Sequence, residues 1–291
     1  MIKTLRQWIS RAIALAVLGP VCAYVAGGLV GVDGSAEHTL LTGDSFVSGV
    51  MALVIVGALT VASGVIGSVL GGRREGFLAM GFVLGWVAWT SGRVGRIYLL
   101  SPEAGTSVKL AIEGLVLLVF VVLAGVLMSR ADEDEPITSF SLSRLTGWLR
   151  EPALLGSLGI ALVASAAVSW LFGAYDFPGQ STGVGFIGGV LAGVAGALTA
   201  ASMRGKDGHD GTPFAPVMIG VLLAAVVLPL VAIVYPGLGA VEELVLKGEL
   251  PGTMIVSPAA WGVGALLGVP VGHSWVEHSH AQTHEHAAAS K

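Results

Sequence analysis

The sequence predicts an all-α polytopic membrane protein with about eight transmembrane helices, and three observations support this prediction. Hydrophobic residues make up 54% of the 291 residues, and charged residues make up 12%, about half their share in a soluble domain. The mean hydropathy is +0.83. The chain also repeatedly reaches the ~20 apolar residues that a helix needs to cross a bilayer, and its 43 glycines are typical of membrane helices.

The distribution of basic residues predicts the orientation of these helices. The eight predicted spans are about 11–31, 46–70, 77–99, 108–129, 153–173, 183–203, 214–235 and 253–273. Eleven of the fifteen Lys and Arg side chains then lie on one side: Lys3, Arg6, Arg11, Arg73, Arg74, Arg130, Arg144, Arg150, Arg204, Lys206 and Lys291. Because basic residues are enriched in cytoplasmic loops, the pattern predicts a multi-pass protein of the cytoplasmic (inner) membrane with both termini in the cytoplasm.

The first span has a basic start and contains Pro20, which we expect to kink it. The apolar run continues to Val32, which is too long for an ordinary signal-peptide core, so we interpret it as a mature helix. Its Cys22 is the single cysteine of the chain, which excludes an internal disulfide.

Two later spans carry small residues at every fourth position. In the sixth span these are Gly185, Gly189, Gly193, Ala197 and Ala201. The eighth span carries Ala260, Gly264, Gly268 and Gly272. On a helix this spacing gives one face without side-chain bulk, the arrangement called a glycine zipper, and close backbone approach along such a face holds membrane helices together. The sixth span is therefore predicted to lie inside the bundle.

A short internal match suggests a duplication. The sequence GALTAAS at 196–202 resembles GALTVAS at 57–63, and aligning the two places the span starts about 140 residues apart. This predicts a 4+4 parallel repeat, with four helices in residues 1–130 and four in residues 153–275. The same match arises by chance in a chain rich in Gly, Ala, Leu and Val, which is the alternative.

Residues 131–152 form the linker between the two predicted halves. After Pro136, apolar residues recur near helical spacing from Ile137 to Leu149. We expect a short interfacial helix near 137–149 on the inner membrane surface, and an unstructured linker is the alternative.

The predicted membrane interior offers few ionisable residues, and three of them are candidates for a site. Arg93 and Arg96 share a helix face near the outer end of the third span, and Glu113 lies at a similar height in the fourth. One interpretation is an outward-open anion or carboxylate site built from the two arginines, with Glu113 as partner or gate. The other is a structural Arg93–Glu113 ion pair between neighbouring helices.

The C-terminal tail, residues 276–291, is rich in histidine. His278, His280, His284 and His286 have a spacing that suits a divalent metal such as Zn, Ni or Cu. A flexible, solvated tail with incidental metal affinity is the alternative, because the predicted spans contain almost no other metal-binding side chains.

Two functional hypotheses remain at this stage. No phosphate-binding loop or H-E-x-x-H motif is present, so the sequence does not favour an enzyme. The first hypothesis is a permease-like transporter, or the membrane subunit of one, for a small solute. The second is a non-catalytic scaffold or subunit of a larger membrane complex. The expected partners are the lipid bilayer and either further copies of the chain or other membrane subunits, and no nucleic acid.

Overall fold

The computed structural model of the chain describes residues 2–130, 150–173, 177–204 and 214–277, and all regular structure in these ranges is helical. The helices of the first half are α1 (Ile2–Ile13, a π-helical turn Ala14–Leu18, and Gly19–Gly27), α2 (Phe46–Gly71), α3 (Arg73–Thr90), α4 (Val94–Leu100) and α5 (Ala104–Arg130). Those of the second half are α6 (Pro152–Phe172), α7 (Pro178–Arg204), α8 (Phe214–Ala232), α9 (Leu238–Lys247) and α10 (Pro258–Val263, a π-helical turn Gly264–Gly268, and residues 269–277).

Several of these helices are long and apolar enough to cross a membrane, as predicted. In the described part of the chain there are six, in α1, α2, α5, α6, α7 and α8, and the bent pair α3–α4 makes up to seven. The predicted eighth span, 253–273, overlaps α10, which is not among them. The count of eight therefore stays a prediction. The predicted interfacial helix at 137–149 lies outside the described residues.

Helix α10 lies at the centre of the bundle. Its residues from Pro258 to Leu266 are all buried, and Trp261 is the largest fully enclosed side chain. It packs against α3, α5, α7 and α8. A helix surrounded by protein does not have to be uniformly apolar, which explains why this buried helix carries Gly, Pro and His.

The two small-residue faces predicted from the sequence pack against each other. A Cβ atom on Gly189 would overlap the carbonyl oxygen of Gly264 and lie 2.8 Å from its Cα. On Gly193 it would lie 2.6 Å from the carbonyl oxygen of Val269, and on Gly272 it would overlap that of Val190. The backbones of α7 and α10 are thus in direct contact, and only glycine fits at these positions.

At Pro20, where the sequence predicts a kink, α1 contains a π-helical turn just before the proline. The N–H of Gly19 bonds to Ala14 O, five residues back, and Pro20 has no N–H to offer. The carbonyl of Leu15 is therefore left without an intrahelical partner. The indole Nε1 of Trp86 in α3 donates to it at 2.9 Å, which ties α1 to α3.

The predicted third span, 77–99, is not one continuous helix. Helix α3 ends at Thr90, and α4 leaves it at an angle of 44°. The hydroxyl of Ser91 turns back to Val87 O, while the N–H groups of Gly92 and Arg93 bond to His38 O (2.6 Å) and Glu37 Oε2 (2.7 Å). These partners in the segment between α1 and α2 satisfy the backbone at the break. Arg93 therefore does not lie on one continuous third-span helix, and its height relative to Glu113 does not follow from helical spacing.

The two ends of the bundle are held by different polar contacts. At the end that we call the Glu75 end, Arg11 of α1 pairs with Glu75 of α3, and Arg74 lies 3.7 Å from Glu277 at the end of α10. Residues 28–45, which we call the roof segment, cover the opposite end, which we call the Glu37 end. The N-terminal helix, the α2–α3 turn and the end of α10 therefore meet at one end of the molecule.

The same pattern of helix contacts occurs in both halves. In the first half the contacting pairs are α1·α2, α1·α3, α2·α3, α2·α5 and α3·α5. In the second half the pairs are α6·α7, α6·α8, α7·α8, α7·α10 and α8·α10, which are their counterparts in chain order. The two halves contact each other through α5·α8 and α3·α10, and exchanging the halves turns one of these pairs into the other. They also contact each other through α5·α10, α3·α7 and α4·α9.

Candidate functional site

Arg93 lies at the break between α3 and α4, and its guanidinium faces Glu37 of the roof segment. Its Nε donates to Glu37 Oε1 at 2.8 Å, Nη2 donates to the same oxygen, and the backbone N–H donates to Oε2. Both side chains are partly buried. This carboxylate differs from the predicted partner, Glu113. Glu37 belongs to the loop between the first two predicted spans, outside the predicted membrane interior.

Glu113 is fully buried in α5, directly beneath the roof segment. The N–H of Leu41 donates to Oε2 at 3.1 Å, and the Thr39 side chain and the Leu40 N–H also face the carboxyl group. The second oxygen, Oε1, has no hydrogen-bond partner among the described residues. A buried polar atom without a hydrogen-bond partner lowers the stability of the folded protein. Packing alone therefore does not explain why a carboxyl group occupies this position.

The part of the roof segment above Glu113 is itself part of the core. Thr39, Leu40 and Leu41 are each exposed by no more than 2%. The N–H of Thr39 donates to Thr42 Oγ1 at 2.7 Å, and the hydroxyls of these two threonines are 3.1 Å apart. On the α2 side, Gly49 lets the helix contact Leu40 directly, because a Cβ there would overlap Leu40 O. The segment is therefore held in place by backbone and hydroxyl contacts.

A small cavity lies beside this segment, towards α5. Its volume is ≈ 20 Å³, enough for one water molecule. Glu37, Thr42, Thr106 and Lys109 are among the residues that line it. Lys109 precedes Glu113 by one helical turn, yet the two form no ion pair. The cavity thus brings polar groups of the roof segment and of α5 together beside Glu37.

Two further titratable groups of the roof segment have shifted pKa values. His38 is exposed by only 2%, and burial lowers the pKa of its imidazole. Its Nδ1 lies 3.3 Å from Thr39 O. Asp33 is exposed at the surface, and hydrogen bonds from the hydroxyl and N–H of Ser35 lower the pKa of its carboxyl.

The predicted pairing of Arg93 with Arg96 in one anion site remains a prediction. Arg96 is exposed on α4, one turn after Arg93, and interacts electrostatically with Asp33. The structure thus brings both arginines to the same end of the bundle. It also brings each of them close to a carboxylate of the roof segment, and Glu37 already accepts two side-chain N–H groups from Arg93.

A second polar cluster, at the Glu75 end, was not predicted from the sequence. Arg73 and Glu75 are buried at the start of α3, and Glu75 accepts hydrogen bonds from Nε (2.9 Å) and Nη2 of Arg11. Arg73 was counted only as a cytoplasmic charge. The available signal was an Arg-Arg-Glu run directly after the Gly71-Gly72 pair, where Gly72 has a φ of 90° and allows a one-residue turn.

The predicted metal ligands His278, His280, His284 and His286 lie outside the described residues. His273 lies within them, at the end of α10, with its Nδ1 3.4 Å from Glu277 Oε1. Across the described ranges no group of three or more His, Cys, Asp or Glu side chains is arranged to hold a metal ion. Metal binding by the tail stays a prediction.

The arrangement around Glu113 can bind or release a proton and can respond to movement of the roof segment. It combines a buried carboxyl group, two hydroxyls and a closed cover. The function has to be argued from this geometry. No protein-family model, curated protein or solved structure matches the chain.

Proposed function

We propose that the protein is a permease-like transporter for a small solute, in which the roof segment closes one end of the bundle above Glu113. The observation that carries this proposal is the fully buried carboxyl of Glu113, with an unpartnered oxygen, inside an apolar helix. Ionisable residues within membrane helices are expensive and usually mark an ion or substrate pathway. A purely structural role would be filled as well by an amide or an apolar side chain.

We infer that the Glu37 end faces outward and that both termini lie in the cytoplasm of an inner-membrane protein. Eleven of the fifteen basic residues support this orientation. The contacts Arg11–Glu75 and Arg74–Glu277 also join three segments that this topology assigns to the cytoplasmic side. With this orientation the roof segment covers the outer end of the site.

We further infer a 4+4 parallel repeat with two halves that move relative to each other. The matching helix contacts of the two halves support it. So does a shared hydrogen bond in the repeated motif, since Ser63 Oγ donates to Thr60 O at 2.7 Å and Ser202 Oγ to Thr199 O at 2.9 Å. In transporters built from repeats, alternating access is largely a movement of one repeat against the other. The glycine zipper between α7 and α10 would keep the second half rigid.

The alternative is a non-catalytic subunit or scaffold of a larger membrane complex, and one observation favours it. An open apolar groove of ≈ 310 Å³ lies between α1, α3 and α10, lined by Leu15, Phe82, Trp86, Trp89 and Leu267 among others. Trp89 is 63% exposed there. Such a groove would suit an apolar partner helix or a second copy of the chain.

Uptake and stability measurements would distinguish the two functions. Purified protein is screened for thermal stabilisation by a panel of small solutes, and uptake is measured in proteoliposomes for Glu113→Gln and for Glu103→Gln. Glu103 is exposed and directly precedes α5, which makes it the matched control. A transporter predicts a stabilising solute whose uptake is lost only in Glu113→Gln. No stabilising solute, together with a stoichiometric protein partner in the native complex, would favour the alternative.

A further inference from the structure

We propose that Glu113 is a proton-binding site connected to the Glu37 end of the molecule by a relay of two hydroxyls, Thr42 and Thr39. Its biological use, a proton as the coupling ion, rests on the proposed transport function. The binding site and the relay themselves rest only on the geometry.

Among the described residues, no basic side chain forms an ion pair with Glu113. On its own helix the nearest is Lys109, which forms no ion pair with it. From the roof segment, the closest titratable groups are Glu37, which pairs with Arg93, and the buried His38. No cation therefore neutralises an ionised Glu113 directly. An uncompensated charge is costly in such a place, whereas a neutral carboxyl group is accommodated.

The other described elements packed on α5 place no charged group against Glu113, since Arg96 of α4 is exposed and Arg73 and Glu75 of α3 lie at the Glu75 end. Helices α2 and α8 contain no titratable side chain between Phe46 and Gly71 or between Phe214 and Ala232. The titratable groups of α10 are His273 and Glu277, which lie at the Glu75 end. In α4, the hydroxyl of Tyr98 pairs with Ser107 Oγ at 3.0 Å. The proton is the simplest ligand that makes Glu113 neutral.

The path by which a proton reaches Glu113 runs through Thr42 and Thr39. Thr42 lines the water-sized cavity beside Glu37 and Lys109. Its hydroxyl lies 3.1 Å from that of Thr39, and the Thr39 side chain faces the carboxyl group. A hydroxyl donates one hydrogen bond and accepts two, so each threonine can receive a proton on one side and release one on the other.

The proton transfer is balanced at each oxygen. A hydrated proton (H₃O⁺) that enters the cavity gives a proton to Thr42 Oγ1 and becomes water, the proton already on Thr42 passes to Thr39 Oγ1, and that of Thr39 passes to the Glu113 carboxylate. One O–H bond breaks and one forms at each hydroxyl. The net result is one proton moved from the cavity to Glu113, and the reverse sequence returns it.

The donor set around the carboxyl group favours a proton over a metal cation. A cation such as Ca²⁺ or Mg²⁺ needs about six or more oxygen ligands. Here the N–H groups of Leu41 and Leu40 face the carboxyl group, and their positive ends would repel a bound cation. With N–H groups and one hydroxyl, and not a set of oxygen atoms, facing the carboxyl group, the described residues around Glu113 offer no coordination shell for such a cation.

Infrared difference spectroscopy of the purified full-length protein tests the proposal. The C=O band of a protonated carboxyl group is recorded near neutral pH for wild type and Glu113→Gln, and its shift after transfer to D₂O is followed in time. Thr39→Val and Thr42→Val interrupt the relay. Thr106→Val is the matched control, because Thr106 lines the same cavity but donates to Ser101 O. Thr42→Ser restores a hydroxyl if Thr42→Val folds poorly.

The expected result is a protonated-carboxyl band that Glu113→Gln removes. Deuterium exchange of this band should be slowed about tenfold or more by Thr39→Val and Thr42→Val, and remain as in wild type for Thr106→Val and Thr42→Ser. A missing band, or exchange as fast in both relay variants as in wild type, would overturn the proposal. If the band and its relay dependence are found but no solute is transported, only the transport function fails.

Discussion

The N–H of Leu41 lies 3.1 Å from Oε2 of Glu113, a carboxyl group with no exposed surface. This hydrogen bond joins the segment between the first two helices to the buried face of α5, 72 residues further along the chain. We therefore expect the position of the roof segment to depend on the charge of Glu113. Ionisation of Glu113 is expected to shift the roof segment, and a shift of the roof segment is expected to change the proton affinity of Glu113.

The contact between α7 and α10 predicts a sharp difference between two glycines of one helix. Gly189→Ala should strongly destabilise the protein, because the new methyl group overlaps the Gly264 carbonyl oxygen. Gly183→Ala is the matched control, since no atom outside its own helix lies within 4 Å of its added Cβ, and it should be neutral or stabilise by up to about 1 kcal/mol. Thermal unfolding in detergent measures both. Equal loss at the two sites would contradict the packing.

The Arg93–Glu37 pair predicts a specific double-mutant cycle. Arg93→Gln and Glu37→Gln should each lower stability, and the double variant should recover a coupling energy of about 1–2 kcal/mol, because two charge-assisted hydrogen bonds join the side chains and the pair is only partly exposed. Arg93→Lys should keep the charge but lose the two-pronged contact. Combining Arg93→Gln with Glu113→Gln should be additive. A large coupling energy between Arg93→Gln and Glu113→Gln would contradict the Arg93–Glu37 pair and favour the Arg93–Glu113 ion pair predicted from the sequence.

His38 predicts a pH dependence of stability. Burial lowers the pKa of His38 in the folded protein, so the unfolded chain, with a histidine pKa of about 6.5, binds more protons. The stability contributed by neutral His38 is therefore present above pH ~6.5 and is lost as the pH falls below that value. Melting curves of wild type and His38→Gln check this. The difference between them should shrink on acidification, and a constant difference would be inconsistent with a buried neutral imidazole.

At the Glu75 end, Glu75→Gln should destabilise the protein by about 1–3 kcal/mol, because it leaves Arg11 without its buried carboxylate. The estimate is kept low because Arg11 is one-third exposed. Glu277→Gln is the control, since Glu277 is 41% exposed and 3.7 Å from Arg74, and its effect should stay below about 0.5 kcal/mol. The reverse ranking in unfolding experiments would mean that the Arg11–Glu75 contact is not structural.

The helical membrane character and the small-residue faces could be predicted from the sequence, because both follow from composition and helical spacing. The spacing identified a bulk-free face on α7 and another on α10, but period alone does not identify which helix packs on which. That Gly189 meets Gly264 emerges only from the three-dimensional fold. For the same reason the central position of α10 was not predicted from the sequence.

The candidate site was predicted in part. Glu113 stood out as an acid inside an apolar run, and the structure leaves it buried. Its actual neighbours, Thr39 to Leu41, belong to a loop. A loop has no repeating residue spacing, so its position in the fold could not be predicted from the sequence. The break after Thr90 was also missed, since the N–H groups of Gly92 and Arg93 bond there to His38 O and Glu37 Oε2, partners in a loop that is distant in the sequence.

The most direct test of the account is whether the roof segment moves when Glu113 loses its proton. Spin labels are placed at two exposed positions, Ala36→Cys in the roof segment and Val108→Cys in α5, with the buried Cys22 replaced by alanine. Pulsed electron spin resonance then gives the distance distribution between the labels over a range of pH.

Because an ionised carboxylate is not accommodated under a closed roof, the account predicts two distances in the Cys22→Ala background. The longer one should grow as the pH rises, and Glu113→Gln should show only the shorter one at every pH. A single distance that is independent of pH in the protein with Glu113 intact would contradict a roof segment that opens in response to this carboxyl group.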